Sequence, residues 1–223
     1  MPLQPYNPLI TNSRLALWKV TEDLEGLHGI LKSMGREDLL PLPHFKHDRR
    51  NAEWMAVRCA VTSALSPLAD IFYTNNGKPH LKGIKGEISI SHAWPFVCFF
   101  YHPTLSTGVD IERIDKRILR VAGKFIGEEE EKWLNRPYDI NELYYLWSAK
   151  EAAFKLLGGG GIDFRKHLNV HRINLQDTGK GVIEFNKDER RMTFDVYYQF
   201  LDSMILVYTI ANNEAGQSLS ADN

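Results

Sequence analysis

The sequence is poor in cysteine, in long apolar runs and in excess charge of either sign, and each shortage removes a class of protein. Its 223 residues include two cysteines, Cys59 and Cys98, and neither belongs to a C-x-x-C pair. A disulfide scaffold or a structural zinc site is therefore not expected, and two buried thiols in a reducing cytoplasm are. The longest apolar runs, such as residues 96–101, are too short to cross a bilayer. The first residues, MPLQPYNPLI, lack the basic-then-apolar pattern of a secretory leader. Lys and Arg total 27 against 28 Asp and Glu, a net charge of −1. That balance removes the electrostatic case for a nucleic-acid coat. Neither a membrane nor a nucleic acid is expected as a partner. What is present suits a folded chain: 43% hydrophobic and 25% charged residues, with length enough for one large domain or two small ones.

Three prolines in the first ten residues read as an extended arm. Residues 14–20 read as a strand. Residues 21–34 read as a helix, with Thr21 as N-cap and Leu24, Leu27, His28 and Leu31 on one face. Pro41 and Pro43 interrupt the pattern, and a second helix follows over 48–64. Residues 75–79 (NNGKP) read as a loop or turn. Segments 88–92, 96–101 and 108–112 alternate as strands. Residues 121–125 and the acidic run Glu128 to Glu131 lead into a helix through Trp133. The clearest helix spans 141–157 and ends at four glycines, 158–161. Segments 168–175, 181–185, 192–199 and 204–210 read as antiparallel strands, and the polar tail from Asn212 is expected to fray. A helix, a glycine-containing loop and a strand pair occur near 48–101 and again near 141–185. That order fits a duplicated α+β half, and equally the chance order of any α+β protein.

Asp110 and Glu112 lie two apart in a strand, so both carboxylates project from one face while Val109 and Ile111 point the other way. Adjacent like charges repel unless a cation lies between them, and hard oxygen ligands favour Mg²⁺ or Mn²⁺. The plainer alternative is a solvated acidic edge. Trp147, Glu151 and Lys155 follow at i, i+4 and i+8 on one helical stripe. Read plainly, this is a surface Glu–Lys pair, but a tryptophan beside it suggests that the stripe meets something. Glu151 would then complete the carboxylate set and Lys155 would hold a phosphate. Ser91 and His92 at a strand end, Lys78 in a proline-stiffened loop, and Arg49 and Arg50 at a helix start suit the same phosphate chemistry. Each has an ordinary structural alternative.

Together, G-V-D-I-E at 108–112 and W-S-A-K-E-A-A-F-K at 147–155 resemble the signature of the 4′-phosphopantetheinyl transferase superfamily. N-G-K-P at 76–79 and I-S-I-S-H at 88–92 resemble its two upstream motifs. The length resembles the longer, monomeric surfactin-type branch. The resemblance implies an α+β fold of two similar lobes related by a pseudo-twofold, with the active site in the cleft between them. The lobes would span 1–106 and 107–212, with a disordered tail over 213–223. It further implies a cytoplasmic monomer, with Mg²⁺ (or Mn²⁺) held by Asp110, Glu112 and Glu151. The diphosphate of coenzyme A, the co-substrate, would sit against the metal and Lys155. Lys78, Ser91, His92, Arg49 and Arg50 would contact the nucleotide and its phosphates.

The implied reaction moves phosphopantetheine from coenzyme A to a serine of an apo acyl or peptidyl carrier protein, releasing adenosine 3′,5′-bisphosphate. Glu151, directly or through a water, is the expected base. Family spacing, read from Phe125 and Leu134, favours Glu130 among the four glutamates as an assisting carboxylate. Arg113, Lys116, Arg117, Arg120 and Lys124 would form a docking patch for an acidic carrier, or else a solvated helix face. Two further readings stand beside this one: a non-catalytic module that binds carrier protein or coenzyme A, and a Mg²⁺-dependent phosphohydrolase.

Overall fold

A computed structural model describes residues 3–6, 8–39, 45–75 and 77–211, without the side chains of 4–6. The expectations for Pro41, Pro43, Asn76 and the tail from Asn212 fall outside these residues. The chain divides into two compact units, Met1–Thr104 and Leu105–Asn223. No helix among the described residues is long and apolar enough to cross a membrane.

In the N-terminal unit, strands β1 (Leu3–Tyr6), β2 (Arg14–Lys19), β5 (Glu87–Ala93) and β6 (Phe96–His102) form one antiparallel sheet in the order β1-β2-β6-β5. Helices α1 (Leu24–Ser33) and α2 (Asp48–Ala64) pack against each other, and α2 lies on β2 and β6. The cause is the apolar spacing: Leu27 and Leu31 of α1, Met55, Cys59 and Ala60 of α2, and Trp18 and Phe99 of the sheet share one core. The N-cap of α1 is Asp23, two residues later than expected, because its carboxylate accepts the Gly26 N–H at 2.8 Å. The expected loop at 75–79 stops sooner, since Pro79 opens strand β4 (Pro79–Lys82), which pairs with β3 (Asp70–Tyr73). A first-position proline has no ladder N–H to lose there.

In the C-terminal unit, β7 (Thr107–Arg113), β8 (Leu168–Val170), β9 (Thr178–Lys187), β10 (Arg190–Leu201) and β11 (Met204–Ile210) form an antiparallel sheet in the order β7-β11-β10-β9-β8. The expected strand over 168–175 ends at Val170, while β9 and β10 run longer than the apolar patterns suggested. Residues 116–120 and 122–124 form 3-10 turns, and α3 (Glu128–Glu131) and α5 (Phe164–His167) are single turns. Helix α4 (Ile140–Leu157) packs on β7 and β11. Its Leu143, Leu146, Ala149 and Ala153 meet Val207 and Ile205 in the core.

Each unit places its leading long strand beside its last one: β2 pairs with β6, and β7 pairs with β11. In each, a long helix packs on that pair. The fold is α+β.

Candidate active site

Strand β7 brings Asp110 and Glu112 into the sheet opposite Val207 and Ile205 of β11. Val109 and Ile111 are fully buried on the other face, and Asp110 is itself only 3% exposed. A carboxylate is rarely buried so deeply without a compensating charge. Lys155 supplies one, its Nζ lying 2.8 Å from Asp110 Oδ1 and 3.0 Å from the Val109 carbonyl.

Helix α4 aims the facing stripe. Asp139 caps its start by accepting the N–H groups of Asn141 and Glu142, and Gly158, at φ 78°, ends it in the left-handed region. The closeness of α4 to β7 depends on Gly108. A Cβ there would lie 1.9 Å from the Ala152 carbonyl oxygen, so the glycine of G-V-D-I-E is a packing requirement. With the backbones this close, Trp147 Nε1 donates to Glu112 Oε1 at 3.0 Å, and its ring is wedged between Phe125 and Phe164 at 5.4 and 5.6 Å. The stripe thus grips the D-x-E strand at two points, Trp147 on Glu112 and Lys155 on Asp110. Glu151 stands one turn from each.

The electrostatics report the crowding. Burial first, then the Asp110 charge, pushes the Glu151 carboxyl up to about 7, against the opposing pull of Lys155 and with a further push from Glu112. Glu112 is also raised, by burial and by Asp110, while the Trp147 hydrogen bond and Lys155 hold it down. Among the described residues, no three His, Cys, Asp or Glu side chains stand in ready coordination geometry. The donor set nevertheless fits a hard divalent cation. It comprises three carboxylates whose mutual repulsion is written in two raised pKa values, with one lysine against them. Asp110, Glu112 and Glu151 are the residues that would hold it.

Glu130 has a different place from the one expected. It is 1% exposed and every oxygen is engaged. Oε2 accepts from the Gly127 N–H at 2.6 Å, and Oε1 accepts from the Val170 N–H at 2.9 Å and from Lys150 Nζ at 2.7 Å. Lys150 is fully buried and also donates to the carbonyls of Phe125 and Phe164 at 2.8 Å. A carboxylate buried this deeply, with both oxygens committed to donors of its own fold, is poorly placed to reach a substrate proton, so this pair reads as an internal clasp. Lys150 lay in W-S-A-K-E unremarked, because its neighbour Glu151 drew the chemistry. A lysine one residue off the apolar positions of a buried helix, with an acidic run upstream, was the available signal.

Of the phosphate-contact candidates, the structure gathers Arg49, Arg50 and His92. Arg50 Nη1 lies 2.7 Å from His92 Nε2, and Arg49 Nε donates to Glu53 Oε1 at 2.9 Å. Ser91, expected to act beside His92, is turned to the buried side by strand alternation, 7% exposed. Lys78 faces Glu87 at 3.5 Å with its side chain 17% exposed. Arg113, at the end of β7, and Lys116, Arg117, Arg120 and Lys124, on the 3-10 turns that follow it, are all exposed, where a helix face was the alternative. Leu119 stands among them, 44% exposed.

Residues 106–207 match the model of the 4′-phosphopantetheinyl transferase superfamily, and the chain belongs to that superfamily. The 4′-phosphopantetheinyl transferase AcpT of Salmonella typhimurium is 32% identical over 116 residues, 49% of this chain and 60% of that protein. AcpT of Escherichia coli is 30% identical over 141 residues, 57% of this chain and 72% of its own length. The 4′-phosphopantetheinyl transferase gsp of Aneurinibacillus migulanus is 32% identical over 129 residues, 55% of this chain and 52% of its own. The chain thus spans about 60% of the length of the Salmonella relative.

Proposed function

We propose that this chain transfers 4′-phosphopantetheine from coenzyme A to a serine hydroxyl of an apo acyl or peptidyl carrier protein, in a Mg²⁺-dependent reaction. The observation that carries the reading is the double grip of the α4 stripe on the D-x-E strand, which packs Asp110, Glu112 and Glu151 together with Lys155. Such a set suits a diphosphate substrate, whose own negative charge a carboxylate cluster would otherwise repel. The divalent cation, when bound, supplies charge neutralisation on the diphosphate oxygens.

The remaining work falls to side chains. The serine Oγ attacks the β-phosphorus, a new P–O bond forms, and the bond to the oxygen bridging the two phosphorus atoms breaks. Adenosine 3′,5′-bisphosphate leaves with that oxygen. Glu151 takes the serine proton, directly or through a water, as the one carboxylate of the set on the α4 stripe beside Lys155. Lys155 holds its proton throughout and adds a fixed cation beside the diphosphate. Arg49, Arg50 and His92 are assigned to the nucleotide end. The basic turns after β7 are assigned to an acidic carrier.

The deciding experiment incubates the protein with coenzyme A, Mg²⁺ and apo carrier proteins of several kinds and weighs the carriers. A phosphopantetheine mass gain that disappears with chelator is the expected result. Absence of any gain, or phosphate release from simple monoesters without a carrier, would replace the reading with a binding module or a hydrolase.

A further inference from the structure

The mechanism above leaves Glu53 unused, although it is a nearly buried carboxylate at the centre of three basic groups. It lies on α2 at i+4 from Arg49 and i+3 from Arg50, so helix geometry alone brings both guanidinia to it. Arg49 Nε is 2.9 Å from Oε1, and Arg50 Nη1 is 3.6 Å from Oε2. From β5, His92 Nδ1 lies 3.7 Å from the same Oε2. Arg50 donates to His92 Nε2 at 2.7 Å, which leaves the imidazole proton on Nδ1, facing Glu53. The Glu53 side chain is 6% exposed, whereas those of Arg49 and Arg50 are 58% and 53% exposed and that of His92 is 38%. The carboxylate therefore sits beneath, and the donors sit above it at the surface. Aromatic rings flank them: Arg49 lies 5.5 Å from the centre of Trp94, and Arg50 lies 5.7 Å from that of Phe45.

Two long arginine side chains at a helix start are ordinarily mobile, and ordering them on a ligand costs rotamer entropy. Here the ordering is done in advance. The two guanidinia outweigh the single carboxylate, which suits a compact phosphate dianion better than an uncharged ligand.

We propose that Glu53 is a positioning residue that holds Arg49, Arg50 and His92 as a preformed receptor for the phosphate monoester of coenzyme A. It deepens the coenzyme A reading and rests on it. Glu53 touches no substrate; it acts through the three groups it gathers.

The test uses the full chain with coenzyme A and 3′-dephospho-coenzyme A as alternative donors. Glu53→Gln is expected to raise KM for coenzyme A on the order of tenfold, as loss of a charge-assisted contact does. Turnover and KM for the dephospho donor stay unchanged. Glu53→Asp keeps the charge with a shorter reach and shows a smaller rise in the same KM. In an Arg50→Ala background the Glu53→Gln effect shrinks, since its intermediary is gone. Calorimetric titration with adenosine 3′,5′-bisphosphate follows the same order of variants without needing transfer. A parallel rise in both KM values, or no change in either, overturns the proposal. If Glu53→Gln does not fold, Glu53→Asp and the titration decide in its place. A wild-type protein that transfers nothing from coenzyme A and does not bind the bisphosphate overturns the coenzyme A reading itself. A wild type that does both, with variants that bind equally well, overturns this inference alone.

Discussion

At the level of single residues, Glu151 carries a measurable conflict between stability and activity. Its folded-state pKa is raised, from an ordinary 4.5 to about 7. Between those values the folded protein keeps a proton that the unfolded chain has released. Stability from this group is therefore undiminished below about 4.5 and is lost as pH rises towards 7. Above that the penalty is complete, about 2 kcal/mol once partial exposure is allowed for. Glu151→Gln should thus melt roughly 4–8 °C higher than wild type at pH 8 in chelator, and the gap should close near pH 4. The same variant should lose transfer, and Mg²⁺ should stabilise the wild type only. Thermal melts at both pH values with and without Mg²⁺ check this; identical melting at pH 8 would show that Glu151 is not held against its neighbours. Trp147 makes a second test. Trp147→Phe keeps most of the aromatic wedge but removes the donor to Glu112. The Glu112 carboxyl should then rise further, and the Mg²⁺ requirement should increase by roughly tenfold, read from rate against Mg²⁺ concentration.

At the level of elements, the site is a matter of how closely α4 rides on β7. Gly108→Ala places a methyl against the Ala152 carbonyl, and neither backbone yields cheaply. A loss of about 1–3 kcal/mol is expected by denaturant titration, with a disproportionate fall in turnover. The Lys150–Glu130 clasp fixes the other side of the helix. Glu130→Gln leaves Lys150 buried without its counter-charge, at about 3–5 kcal/mol, while the folded fraction should turn over within a few-fold of wild type. A loss of turnover of a hundredfold or more in protein that remains folded would restore Glu130 as a catalytic group. These elements were unevenly legible. Long apolar periodicities announced α2 and α4, and α2 has the bounds its pattern suggested. The D-x-E strand and the Trp147–Glu151–Lys155 stripe were readable because the spacing alone puts each set on one face. The β3–β4 hairpin was not, since four-residue strands are too short to show a period. The partner of Glu130 was hidden for another reason: the family spacing singles out Glu130 from the four glutamates, but its buried counter-charge, Lys150, lies twenty residues on.

For the molecule as a whole, a net charge of −1 conceals a separation of charge that bears on partner choice. The carboxylates Asp110, Glu112 and Glu151 lie on β7 and α4. The exposed cations Arg113, Lys116, Arg117, Arg120 and Lys124 crowd the next stretch of chain, with Leu119 exposed among them. Arg117 is partly committed, its Nε donating to Asp115 at 3.0 Å, and Arg113 also acts on the Asp115 charge. Exposed like charges gathered this way raise the local potential and speed encounter with an acidic partner, but contribute little to the fold. Replacing Arg117 and Arg120 together by Glu should therefore leave the melting temperature and KM for coenzyme A near wild type. KM for an acidic apo carrier should rise by about tenfold or more at low salt, an effect of association rate. At about 0.5 M salt, where the screening length falls to about 4 Å, the two proteins should converge. A deficit that persists undiminished at high salt would mean that these arginines make short-range contacts and do not steer. No deficit at any salt would move the carrier to another face of the chain.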